Sequence, residues 1–283
     1  MKPIKYGFFI SDAGSSNQIL HKILNENLNC EIFGHEPGLT LAESLGLQAK
    51  NFSEFNFESE FDFYVFGSYL FNREQDELIE KLFLKGAKVV GVLDHWVNFE
   101  NRWVNRQPLE IWVTDKFAYS LANQFFPDSE IKLFVNYYLQ YVEREYKYLN
   151  SKNINKGIGF LGKRGKHIIE QGVESGLIFN CSCSFVANLL TEIGQEIVFF
   201  REHPSHAHNE CFEYLKLNFP AINVVNASKL SMSDFLARSY VVYGELTYAL
   251  YISKELGIKT ICLEEIPPEW RGPKFQVYKK FNL

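Results

Sequence analysis

The sequence predicts an α/β protein made of two parallel, doubly wound sheets, one in each half of the chain. Three observations carry this. Short apolar runs alternate with amphipathic helical segments through both halves, the spacing that crossover helices impose. Several of the runs end in Gly, Ser, Asp or His, where a strand would hand over to its helix. A polar helical stretch, Tyr141 to Lys156, links the halves, and the pattern then starts again.

In the first half, Tyr6 to Ser11 reads as a strand and is followed by Asp12-Ala13-Gly14-Ser15-Ser16. The next helix carries Ile19, Leu20, Ile23 and Leu24 on one face. Glu31 to Gly34 is a short strand and Leu39 to Leu45 a short helix. Phe61 to Gly67 is a strand that ends in Gly67-Ser68. A helix over Arg73 to Lys85 turns Leu78, Ile79, Leu82 and Phe83 inward and closes at Gly86. Lys88 to Leu93 is a buried strand ending in Asp94-His95-Trp96. Glu110 to Thr114 is a strand, Asp115 starts the helix through Asn123, and Ile131 to Phe134 is the last strand of this half.

In the second half, Ile158 to Leu161 is a strand ending in Gly162-Lys163-Arg164-Gly165, and helical segments cover about 166–176 and 182–194. Glu196 to Phe200 is the strand before Arg201-Glu202-His203-Pro204-Ser205. Cys211 to Leu217 is helical, Ile222 to Val225 a strand, and Ser233 to Arg238 a short helix. Tyr240 to Tyr243 is a strand ending in Gly244-Glu245-Leu246-Thr247. The helix from Tyr248 stops at Gly257, and Lys259 to Leu263 is the last strand. The expected domains are therefore 1–150 and 151–283, with a tail over 264–283 that can pack back on the first domain.

Composition narrows the class. The 283 residues are 46% hydrophobic and 22% charged, as in ordinary globular proteins. A net charge of −5 argues against a general nucleic-acid binder. The five cysteines form no C-x-x-C pair, so reduced thiols in a cytosolic protein are expected and no metal site is assigned. The apolar run near the N-terminus is far too short for a signal peptide or a span, so a cytoplasmic protein is expected.

Four clusters can carry chemistry. Arg201, His203 and Ser205 bring a cation, an imidazole and a hydroxyl to a strand's carboxyl end, which suits a phosphate. Gly244, Glu245 and Thr247 precede a helix whose opening N–H groups can hold an anion. The basic loop at Lys163 also follows a strand and can face the same phosphate. Asp12 faces the mouth of the first sheet, where a carboxylate can take a proton from a sugar hydroxyl, although a plain helix cap would look the same. Ser15 stands beside it as an acceptor-side hydroxyl. In the run from Asp94 to Arg102, Asp94 or His95 is a second candidate base. Trp96 offers an apolar face to a sugar ring, and Asn98 and Arg102 offer hydrogen-bond donors. No P-loop, dinucleotide fingerprint, nucleophile elbow or Cys-His pairing occurs.

This layout resembles a GT-B glycosyltransferase, in which two Rossmann-like parallel-sheet domains face a cleft. The nearer resemblance is to bacterial transferases for nonulosonic acids, the sialyl-, polysialyl- and Kdo-type enzymes. Asp12-Ala13-Gly14 resembles their acidic motif and His203-Pro204 their His-Pro motif. Leu93-Asp94-His95-Trp96-Val97-Asn98 looks like stretches of capsule and O-antigen biosynthesis proteins. The first motif has one carboxylate here, and Thr247 stands where a serine pair is more usual.

The resemblance implies an inverting, metal-independent transfer of a sugar from a CMP-linked donor to a glycan acceptor, with no cofactor. His203 and Thr247 would hold the donor phosphate, with Arg201 or Lys163 nearby. Asp12, or Asp94 with His95, would be the base. A lipid-linked acceptor would bring the protein to the inner face of the membrane. The other readings are a sugar-nucleotide hydrolase or epimerase, a polyol-phosphate transferase, or a binding protein without turnover.

Overall fold

The computed structural model describes residues 3–68, 73–96, 99, 102–103, 106–152, 154–162, 196–202, 210–218, 220–263, 266 and 270–277. Lys163, His203, Ser205 and Asn98 lie outside the described residues, as do the helices expected over 166–176 and 182–194. The chain divides into two compact units, 1–140 with 269–273, and 141–268 with 274–283.

The first unit holds seven parallel strands. They are β1 (Tyr6–Ile10), β2 (Cys30–Gly34), β3 (Lys50–Asn51), β4 (Phe63–Gly67), β5 (Val89–Leu93), β6 (Glu110–Val113) and β7 (Glu130–Leu133), in the spatial order β3-β2-β1-β4-β5-β6-β7. Its helices are α1 (Ala13–Glu26), α2 (Gly38–Ser44), α3 (Arg73–Leu84) and α4 (Lys116–Phe125). The strand order reverses between β1 and β4. Helices that leave these two neighbours in opposite directions open a crevice at their carboxyl ends.

The core follows the period-2 alternation of the strands. Phe8, Ile10, Val65, Val90 and Val92 pack on one face with Ile19, Leu20 and Ile23 of α1. Phe9, Phe66 and Val89 pack on the other with Leu78, Ile79, Leu82 and Phe83 of α3. Phe9 and Phe66 are register partners and stack with ring centroids 4.4 Å apart. Each fully buried ring of this kind contributes on the order of 2 kcal/mol of transfer free energy, which gives the chain's many phenylalanines a structural use. Asp12 caps α1, its Oδ2 accepting from the Gly14 N–H at 3.2 Å. Asp115 caps α4 by accepting from Phe117 and Ala118 at 2.8 and 2.9 Å. Such a cap is worth about 1 kcal/mol.

The helix α5 (Tyr137–Asn150) carries the chain into the second unit. The described strands there are β8 (Gly157–Leu161), β9 (Val198–Arg201), β10 (Val224–Asn226), β11 (Ser239–Gly244), β12 (Lys259–Cys262) and β13 (Gln276–Val277). They form a parallel sheet in the order β10-β9-β8-β11-β12-β13, with the reversal between β8 and β11. The described helices are α6 (Glu210–Asn218), α7 (Met232–Ala237) and α8 (Tyr248–Glu255). Ile158, Phe160, Val198, Phe200, Val241, Tyr243 and Ile261 form the strand side of the core. Both sheets are those expected from the alternating pattern. The pattern did not announce β3 and β13, because a two-residue edge strand shows no period.

Candidate functional site

A dense cluster of polar residues lies at the carboxyl edge of the first sheet, where β1, β4 and β5 end. Asp94 follows β5 and is only 4% exposed. The buried Ser68 hydroxyl, just beyond β4, donates to Asp94 Oδ1. The carboxylate also lies against the first turn of α1: a Cβ built on Gly14 would be 1.8 Å from Asp94 Oδ2. Only glycine leaves that room. The positive end of the helix dipole compensates the charge that the buried carboxylate brings there. No described residue donates a hydrogen bond to Oδ2, so this oxygen is the open acceptor of the pair.

A frame of buried polar groups fixes this arrangement. Ser15 is 0% exposed, and its hydroxyl donates to the Ser68 carbonyl at 3.1 Å. Gln75, in the first turn of α3 and also 0% exposed, donates to the Gly67 carbonyl at 3.2 Å and accepts from the Ser11 hydroxyl at 3.3 Å. One amide thus ties the ends of β1 and β4 together across the reversal of strand order. Ser68 and Gln75 were not singled out from the sequence. Ser68 is visible there only as a polar residue at a strand end, and Gln75 has no local signal at all.

Next to Asp94, His95 Nε2 lies 3.8 Å from Asp94 Oδ1 and 2.9 Å from Arg102 Nη2. Burial pushes the His95 pKa below the ordinary imidazole range. The Asp94 charge opposes this, and the Arg102 guanidinium adds to it. Trp96 is 5% exposed, and its indole N–H donates to both Asp115 oxygens at 3.0 and 3.1 Å. Trp270 packs edge-on against it with centroids 5.9 Å apart.

Three expectations change here. Trp96 is buried and hydrogen-bonded to a helix cap, so it is a packing residue and not an exposed sugar platform. Ser15 is sealed under Ser68 and belongs to the frame, not to an acceptor surface. Arg102, 8% exposed, turns its guanidinium to His95.

In the second unit, Arg201 ends β9 and its Nη1 donates to the carbonyls of Ala227, Ser228 and Leu230. The cation therefore shapes the loop after β10. Gly244 ends β11, and a Cβ there would lie 3.0 Å from Leu161 Cβ, so its small size serves the packing of β8 against β11. Glu245 is half-buried. Thr247 caps α8 by accepting from the Leu250 N–H at 3.2 Å. This leaves its hydroxyl hydrogen able to donate to an anion at the helix start. Gly162, at the end of β8, and the Gly244–Thr247 turn flank the reversal of strand order, where open sheets take ligands. Among the described residues, no group of three or more His, Cys, Asp or Glu is placed to hold a metal ion. No described helix is long and apolar enough to cross a membrane.

No protein-family model matches the sequence, and no curated protein matches it. Solved structures do. S. aureus MnaA, in a co-structure with UDP, is 12% identical, with a TM-score of 0.63 over 93% of this chain and 80% of that one. The Methanocaldococcus jannaschii UDP-GlcNAc 2-epimerase, in complex with UDP-GlcNAc and UDP, is 11% identical, with a TM-score of 0.64 over 92% of this chain and 84% of that one. Acinetobacter baumannii MurG is 9% identical, with a TM-score of 0.50 over 92% and 78%. At such identities the likeness is one of fold. The chain has two Rossmann-like parallel-sheet domains of the GT-B type.

Proposed function

We propose that this chain is an enzyme of nucleotide-sugar chemistry, a glycosyltransferase in which Asp94 takes the proton from an acceptor hydroxyl. One observation carries the reading. A buried carboxylate stands at the carboxyl edge of a parallel sheet with Oδ1 held by Ser68 and with no described residue donating to Oδ2. A base must be fixed within hydrogen-bond reach of the proton it removes, and its free oxygen must face that proton. Asp12, the other carboxylate considered, already accepts from the Gly14 N–H as the cap of α1.

The second unit would bind the donor. Thr247 and the opening N–H groups of α8 would hold the phosphate, with Gly244 and Glu245 in the same turn. From the sequence, His203, Ser205 and Lys163 join them. Positive groups there would stabilise the departing nucleotide, an electrostatic effect worth several kcal/mol in acyl and phosphoryl transfer enzymes. The reading is inverting and uses no metal. A pyrimidine nucleotide fits both lines of support. The His-Pro and Asp-Ala-Gly motifs favour a CMP-linked nonulosonate, whereas two similar solved structures were obtained with UDP. The glycan acceptor, surface-polysaccharide synthesis and an inner-membrane setting rest on the motif resemblance alone.

A thermal-shift panel of CMP, UDP, CDP and GDP tests the donor class, because a ligand of the folded state raises the melting temperature. Stabilisation by CMP or UDP supports the reading, and a shift with GDP alone rejects it. A second reading, epimerisation of a UDP-linked amino sugar, is supported by the likeness in fold to the UDP-GlcNAc 2-epimerase, with a TM-score of 0.64. Incubation with UDP-GlcNAc in D2O and no acceptor separates the two. An epimerase incorporates deuterium into the sugar, and a transferase does not.

A further inference from the structure

Two candidate bases, Asp94 and His95, stand side by side, and the contact with Arg102 decides between them. A guanidinium has N–H donors and no acceptor, and it stays charged in proteins. Arg102 Nη2 lies 2.9 Å from His95 Nε2, so Nε2 must supply the lone pair. An N–H on Nε2 would set two donors against each other at that distance. A fully protonated ring would add a second cation beside the first. The remaining form is the neutral ring with its proton on Nδ1. That atom is sealed from solvent and meets no acceptor on any other described residue; only the backbone of His95 itself interacts with the ring. A poorly partnered N–H there costs less than opposed donors, because the Arg102 bond is charge-assisted and therefore stronger than a neutral one. Burial and the nearby guanidinium both keep the ring uncharged.

The geometry points to Arg102 as a positioning residue that locks His95 in the Nδ1–H tautomer, which leaves Asp94, and not His95, as the proton acceptor of this pair. The His95 lone pair is committed to Arg102, so His95 cannot take a proton from substrate or from Asp94 without breaking that bond. A proton accepted by Asp94 therefore returns to product or solvent and does not pass inward along a relay. The role given to Asp94 rests on the proposed function, but the tautomer does not.

The test uses the full chain labelled with 15N-histidine. Long-range 1H–15N correlation at pH 7.5 reports which ring nitrogen carries the proton, and the spectrum of His95→Asn identifies the His95 signals. The expected result is a protonated Nδ1 and a bare Nε2. A protonated Nε2, or a doubly protonated ring, overturns the inference. The parent protein carries the answer once His95 is assigned, so an Arg102 variant that fails to fold does not spoil the test. Arg102→Met is expected to move the proton to Nε2 or to mix the tautomers, and to lower kcat with the nucleotide KM unchanged. Arg102→Lys, which keeps a cationic donor, is expected to restore the Nδ1–H form and part of kcat. An unaltered tautomer in Arg102→Met contradicts the role of Arg102. The Nδ1–H form in a protein that turns over no nucleotide sugar supports the tautomer and rejects the proposed function.

Discussion

The Asp94 carboxylate rests on the Cα of Gly14, so close that a side chain at position 14 would begin 1.8 Å from Asp94 Oδ2. These residues are eighty positions apart in sequence. They meet because β5 and the start of α1 end on the same edge of the sheet. The contact joins a buried charge to the positive end of a helix.

Gly14→Ala tests that contact. The added methyl must push the carboxylate aside, and overpacking of this kind costs about 1–3 kcal/mol. Urea denaturation is expected to show that loss, and turnover is expected to fall with it because Asp94 leaves Ser68. Stability and turnover equal to those of the parent would contradict the geometry.

Gln75→Leu removes the amide that ties Gly67 to Ser11. Burying an unpaired carbonyl costs about 1–3 kcal/mol. The same variant frees the Gly67–Ser68 peptide, and so the group that orients Asp94. A lowered denaturation midpoint with an unchanged m-value is the expected result. Turnover should fall more than the fraction of unfolded protein explains.

The depressed pKa of His95 makes a prediction for acid stability. The folded state prefers the neutral ring, while the unfolded chain protonates it near pH 6.5. The unfolded state therefore binds more protons below that pH, and stability falls as pH falls. The contribution is fully present above about pH 6.5 and is lost toward the lower folded value. Among the described residues, Asp94 and the backbone of His95 itself oppose the shift, and Arg102 adds to it. Denaturation of the parent and of His95→Asn across pH 5 to 8 checks this. The advantage of the parent is expected to shrink on the acid side, and an advantage that grows there would reverse the sign.

Much of this molecule could be read from its sequence. The alternation of apolar runs gave both parallel sheets, because a strand buried on two faces has a local signature. The helix start at Asp115 was legible for the same reason, since a cap acts within three residues, whereas for Asp12 the cap was one of two readings. The Asp94–His95–Arg102 run also emerged as a polar cluster. What it does was not legible. That Trp96 bonds Asp115 and lies under Trp270 depends on contacts across 19 and more residues. The joining of Asp94 to Ser68 and Gly14, and of Gln75 to Gly67 and Ser11, depends on strand order, which a single sequence does not print. Arg201 shows the same limit: a cation after a strand suggests an anion site, yet its Nη1 holds three loop carbonyls.

The most direct test of the central claim is nucleotide release by Asp94→Asn, measured with and without a glycan acceptor on the nucleotide sugar that stabilises the parent. The amide keeps the shape and removes the base. The account predicts an acceptor-dependent rate lower by about 10²- to 10⁴-fold, the span expected for loss of a general base, with the nucleotide-induced thermal shift retained. Release at the parental rate would contradict it.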